Sequence, residues 1–125
     1  MKTLHEVAAE LVHNCKTGNE MAGLDTLYHP DAVSVEAGAP PGEDRVKTGL
    51  AAIKGKHAWW QDNFEMHGGD VDGPFPHGDD RFAVIFEVDA TMKATGQRSR
   101  MREVAVYHVK DGLIVREEFY YAMGG

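Results

Sequence analysis

The sequence has little of what marks specialised chemistry. It holds one cysteine, Cys15, which excludes an internal disulfide; on a helix a lone thiol reads as a small buried hydrophobe. Basic residues are scarce beside acids, 13 against 20. The net charge of −7 leaves no Lys/Arg cluster to displace phosphate counterions, so nucleic acid is not an expected partner. No apolar run approaches the roughly 18 residues of a membrane span, and the N-terminal residues have no signal-peptide core. A membrane partner is therefore not expected, and the expected location is cytoplasmic. Paired cysteines, HExxH, a phosphate loop, a dinucleotide fingerprint and a nucleophile elbow are missing, so neither a metal nor a cofactor is expected. No repeat, low-complexity tract or linker divides the chain. Residues 1–125 are expected to form one domain, large enough to bury roughly two-thirds of its unfolded surface.

What is present is periodicity. Residues 3–16 carry Leu4, Val7, Ala8, Leu11, Val12 and Cys15 at helical spacing, with Thr3 and Glu6 as a capping box and Gly18 as a stop. A second short helix is expected over 19–28, because Pro30 disfavours helix at His29. Residues 32–36 alternate as a strand, with Val33 and Val35 on one face and Ser34 and Glu36 on the other. After the loop "GAPPGEDRVKTG", Thr48 caps a third helix running to about Met66, with Ile53, His57, Trp60 and Phe64 on one face. "GGDVDGPFPHGDD" allows only a short or edge strand. Long strands follow at about 81–93, 98–110 and 113–122. The order predicts an α+β fold, with helices on one face of a curved, mainly antiparallel sheet.

Charge sets the expected register of strands 81–93 and 98–110. With Met92 opposite Ser99, Asp89 meets Arg102 and Thr91 meets Arg100; a one-residue slip would set Asp89 beside Glu103. Phe82, Val84, Phe86 and Val88 then share an inner face with Met101, Glu103, Ala105 and Tyr107. Glu87, Asp89, Arg100 and Arg102 take the outer one. "VKDGL" is expected to be a three-residue loop in which Val109 faces Leu113, so that Val115, Glu117, Phe119 and Tyr121 also point inward. A two-residue Asp-Gly turn would instead point Arg116, Glu118 and Tyr120 inward, which leaves Glu117 and Glu118 as alternatives. Glu103 and Glu117 would flank Ala105 among apolar side chains. Buried carboxyls tend to hold their protons, and such groups are the raw material of acid/base sites.

The chain resembles the nuclear transport factor 2-like superfamily, the cone-shaped fold of ketosteroid isomerases and SnoaL-like polyketide cyclases. The resemblance rests on the leading helix pair, "LYHPDAVSVE", "TGLAAIKGKHAWW" and the closing "VYHVKDGLIVREEFYY". It implies a roll of curved sheet around about three helices, an internal pocket for a small apolar molecule, and a homodimer through the outer sheet face. It also implies that Glu36, fourth after "DA", stands where ketosteroid isomerase-like members keep a proton-shuttling acid. Leu11 and Ala105 stand where those isomerases place their oxyanion-hole donors, so steroid isomerisation by that route is not expected. His57 stands where a pocket-lining tyrosine is common.

The expected site therefore has Glu36 as base, His57 as its partner and Glu103 as acid or hydrogen-bond donor. Leu11, Trp60, Phe82, Val84, Phe86, Ala105, Tyr107, Glu117, Phe119 and Tyr121 would form the pocket wall. The expected function is small-molecule binding, with cofactor-free isomerase, cyclase, dehydratase or epoxide hydrolase chemistry if the site is catalytic. The alternative is a non-catalytic ligand-binding or dimerisation module. Glu36 itself reads either as a pocket carboxylate or as a solvated strand end, and a protein-partner adaptor would need a large exposed apolar patch.

Overall fold

Thr3 starts the first helix in the computed structural model, which describes residues 1–122. Its hydroxyl accepts from the Glu6 amide at 3.2 Å, and the Glu6 carboxylate accepts from the Thr3 amide at 3.1 Å. This reciprocal pair satisfies amides that every helix start leaves open. Gly18, in the left-handed region at φ 73°, closes helix α1 (Leu4–Thr17). Leu4, Val7, Ala8, Leu11 and Val12 are buried, so the predicted stripe faces the core. Helix α2 (Glu20–Leu27) buries Leu24 and Leu27 and hands over to strand β1 (Tyr28–Val35) at Tyr28.

The remaining order is β2 (Val46–Thr48), α3 (Leu50–Asn63), β3 (Phe64–His77), β4 (Arg81–Met92), β5 (Arg98–Lys110) and β6 (Leu113–Tyr120). The six strands form one sheet in the order β2-β1-β6-β5-β4-β3, antiparallel except for β1 against β6. This is the expected α+β architecture, three helices with a curved, unclosed mixed sheet. Phe82 stacks on Tyr107 at 4.9 Å between ring centroids, and Val84 lies opposite Ala105, both fully buried.

Four expectations are corrected. Thr48 does not cap α3: it pairs with Val33 in β2, and Gly49 begins the helix without a side-chain cap. Phe64 and Met66 leave the helix to open β3, which is a full 14-residue strand. Pro74 and Pro76 are tolerated in it because β3 is the sheet edge, where a missing amide leaves no partner unsatisfied. The β4–β5 register is displaced by two residues, with Ala90 opposite Ser99, Asp89 opposite Arg100 and Glu87 opposite Arg102. That register sets two acid–base pairs across the strands, whereas the expected one left Glu87 opposite Val104. A displacement of two preserves side-chain facing, so the inner row of Phe82, Val84, Phe86 and Val88 is unchanged.

The fourth correction concerns the last hairpin. Lys110 pairs with Leu113, and Asp111 and Gly112 have φ of 52° and 76°, so the turn has two residues with positive φ. Alone this would point Arg116, Glu118 and Tyr120 inward. A bulge intervenes: Val109 faces Ile114 but His108 faces Arg116, leaving Val115 unpaired. Facing flips back, Glu117 and Phe119 turn inward, and Ile114 rather than Val115 is buried. Gly112 carries this geometry, since a Cβ there would lie 2.8 Å from Met1 Cγ and 3.0 Å from the Lys2 backbone. Gly112→Ala is expected to destabilise the protein by about 1–3 kcal/mol, read as a lowered urea midpoint at unchanged slope. An unchanged midpoint would contradict the assignment.

Candidate active site

Five sheet strands, β1 and β3 to β6, and all three helices line a cavity of about 460 Å³. That volume suits a ligand of modest size. Of the expected site residues, Leu11, His57, Trp60, Phe86, Glu103, Tyr107, Glu117 and Phe119 line it. Phe82, Val84 and Ala105 do not; they pack in the core beside it. Glu36 and Tyr121 also lie outside the lining and are bonded to each other, the Tyr121 hydroxyl donating to Glu36 Oε2 at 3.1 Å. Trp60 stacks on Phe64 at 4.0 Å, while Trp59 is half exposed.

Beside the cavity, one ammonium organises the polar groups. Lys56 Nζ donates to Ser34 Oγ at 2.7 Å and to Glu36 Oε1 at 2.8 Å, and sits 4.3 Å from the centre of the Phe119 ring. It also approaches Glu117 Oε1 to 3.8 Å, close enough for attraction but too far for a hydrogen bond. The Tyr28 hydroxyl donates to the other oxygen, Glu117 Oε2, at 2.6 Å. Glu117 is 1% exposed, and its Oε1 is the one buried side-chain atom among the described residues without a hydrogen-bond partner. In β6 its neighbours are Ser34 on one side and Tyr107 on the other.

Burial sets the electrostatics. It pushes the Glu103 carboxyl up to about 7, with further upward pressure from Glu36 and Glu117 and partial relief from Lys56. Burial also raises Glu117, against the pull of Lys56 and the hydroxyls of Tyr28 and Ser34. His57 is lowered, first by burial and then by repulsion from Lys56, so it stands neutral at pH 7. Cys15, also on the wall, is pushed up to about 12 by burial and is therefore no thiolate nucleophile. Among the described residues no group of three or more His, Cys, Asp or Glu is placed to hold a metal ion.

Three members of the site were not singled out in the sequence. Lys56 follows Ile53 by three and precedes Trp60 by four, so its inward facing was readable from spacing. Its charge argued the other way. Tyr28 continues the Leu24–Leu27 stripe of α2. Ser34 lies on the polar face of β1, which turns inward: Ser34 is fully buried while Val33 and Val35 are partly exposed.

Comparison with known proteins places this arrangement. The profile of the SnoaL-like domain matches residues 2–121. The chain belongs to the SnoaL-like family. A candidate SnoaL-like polyketide cyclase from Mesorhizobium loti is 41% identical, with a TM-score of 0.89 over 96% of this chain and all of that one. A candidate isomerase from Bacillus subtilis shares the fold at 22% identity, with a TM-score of 0.70 over 95% of this chain and 83% of that one. A candidate polyketide cyclase from Pseudomonas putida does so at 19% identity, with a TM-score of 0.71 over 98% and 94% of the two chains. No curated protein matches the sequence. No helix of the described residues in this SnoaL-like protein is long and apolar enough to cross a membrane.

A raised carboxyl leaves a mark on stability. The folded protein holds the Glu103 proton up to about pH 7, whereas an unfolded chain releases it near the ordinary glutamate value of 4.5. The folded state therefore binds more protons in that window, and stability falls as pH rises through it. Glu103→Gln is expected to raise the melting temperature at pH 8, by the equivalent of about 1–3 kcal/mol, and to change it little at pH 4.5. Equal effects at both pH values would contradict the assignment.

Proposed function

We propose that this SnoaL-like protein binds a small, largely apolar molecule in the cavity and performs cofactor-free acid/base chemistry on it, of the isomerase, cyclase, dehydratase or epoxide hydrolase kind. One observation carries the reading: Glu103 lines the cavity with its carboxyl pushed up to about 7, and the same wall carries the unpartnered oxygen of Glu117. A carboxyl titrating at working pH takes and returns a proton with the least mismatch. Glu117 offers a polar anchor to the ligand. Glu36, tied to Lys56 and Tyr121, serves to hold Lys56 rather than to act as the base, and neutral His57 lines the wall as a weak acceptor or donor. Val104 and Tyr120, paired on the outer sheet face and exposed, support a homodimer through that face.

The second reading, a binding module without chemistry, draws on the mutual satisfaction of Lys56, Ser34, Glu36 and Tyr121. A panel of epoxides, enones and esters separates the two. Glu103→Gln is expected to lower turnover by about 10²–10⁴ on the substrate found, with the acidic limb of the wild-type profile inflecting near pH 7. Wild-type turnover in the Gln variant, together with its raised stability, sinks the enzymatic reading. Val104→Glu is expected to shift sedimentation from dimer to monomer, and an unchanged dimer removes the outer face as the interface.

A further inference from the structure

The cavity wall is unusual in its balance of charge. It carries three carboxyls, Glu20 from α2, Glu103 from β5 and Glu117 from β6, and neither a lysine nor an arginine. Lys56, the nearby cation, is already committed to Ser34 and Glu36. Four aromatic rings, Trp60, Phe86, Tyr107 and Phe119, share the wall with aliphatic side chains such as Leu11 and Leu24. Glu117 Oε1 stands in this wall without a hydrogen-bond donor, in a residue that is 1% exposed. A buried acceptor of this kind costs free energy until a donor reaches it.

We propose that the occupant of the cavity is a small organic amine bound as its ammonium, with the apolar body against the aromatic rings and the N–H directed at Glu117 and Glu103. The inference rests on the binding reading above and narrows its ligand class. A neutral apolar guest leaves Glu117 Oε1 unsatisfied, and an anion meets three carboxyls with no free base. An ammonium supplies the missing donor, offsets the acidic charge and gains from the ring faces, whose negative quadrupoles attract cations.

Protonation enters as a consequence. A cation in the cavity favours the ionised form of Glu103, so binding at pH 6.5 expels protons, and affinity rises with pH through about 7. The groups facing Glu103 are Glu36 just past β1, Lys56 from α3 and Glu117 from β6. Glu20, Tyr28, His57 and Tyr107 share its cavity. His57 is lowered by burial and then by Lys56, so repulsion from a protonated ring acts below the Glu103 transition and with the same sign.

Calorimetry with three probes of similar size tests the proposal: N,N-dimethylbenzylammonium, its neutral carbon isostere isobutylbenzene, and the anion 3-phenylpropanoate. Turnover is not measured, so a catalytically silent protein still answers, and an enzyme for neutral substrates shows activity without a preference for the cation. The ammonium is expected to bind at least about tenfold more tightly than isobutylbenzene at pH 8, and to lose about tenfold in affinity by pH 6. Its binding enthalpy at pH 6.5 should vary with the ionisation enthalpy of the buffer, which reports the expelled protons. Glu103→Gln should remove most of the pH dependence around 7, and Glu117→Gln, checked for folding by its melting curve, should erase the preference over isobutylbenzene. Equal or tighter binding of isobutylbenzene or of 3-phenylpropanoate, an affinity flat from pH 6 to 8, or binding of none of the three overturns the proposal.

Discussion

The Lys56 ammonium bridges elements that would otherwise have no polar reason to meet. It reaches from α3 to Ser34 and Glu36 at the end of β1, and stands within Coulombic range of Glu117 on β6. A largely buried charge is tolerable only when paired and hydrogen-bonded, so Lys56 and Glu36 hold each other in place. One ammonium cannot serve three carboxyls. Because Ser34 and Glu36 take its closest contacts, Glu117 is left at 3.8 Å and Glu103 without an ion pair, and burial then dominates both. The proton-holding character of the cavity follows from that shortfall.

Two neighbouring strands supply the polar strip by departing from ordinary alternation. In β1 the serine is buried and the valines are partly exposed, the reverse of what a half-buried strand usually does. In β6 a bulge after a two-residue turn rotates Glu117 into the interior. The strands are parallel neighbours with Ser34 beside Glu117, so the two departures meet at one place. The aromatic residues of β4, β5 and α3 face this strip. A polar stripe opposed by an aromatic wall is what supports the proposed binding role. What a SnoaL-like fold does is decided by such a site, since the scaffold itself hosts many chemistries.

Much of the fold was legible because it rests on local rules. The capping box at Thr3, the stop at Gly18 and the α1 stripe are short-range features, and all stand as read. The inner face of β4 and β5 was also legible, because facing depends on parity, and the two-residue register displacement leaves parity intact. Boundaries fared less well. Nothing local ends α3 at Asn63; its last turn gives way because Phe64–His77 gains a whole edge of hydrogen bonds with β4. For the site, the inward facing of Glu117 was reached by an incorrect turn whose error the bulge cancels. Bulges depend on pairing across the sheet and leave no mark in one strand's alternation. Lys56 was hidden for a different reason. Its helical phase pointed inward, but a lysine on a helix is ordinarily solvated, and only a carboxylate arriving from another strand makes its burial tolerable.

The account turns on protons held by buried carboxyls, and carboxyl-carbon NMR observes them directly. With the glutamate side chains labelled and assigned through Gln variants, the Glu103 carboxyl is predicted to titrate with a midpoint near 7, and Glu117 above the ordinary glutamate value of 4.5. If every glutamate carboxyl instead titrates below about pH 5, the usual range for solvated groups, the cavity holds no such proton and the central claim fails.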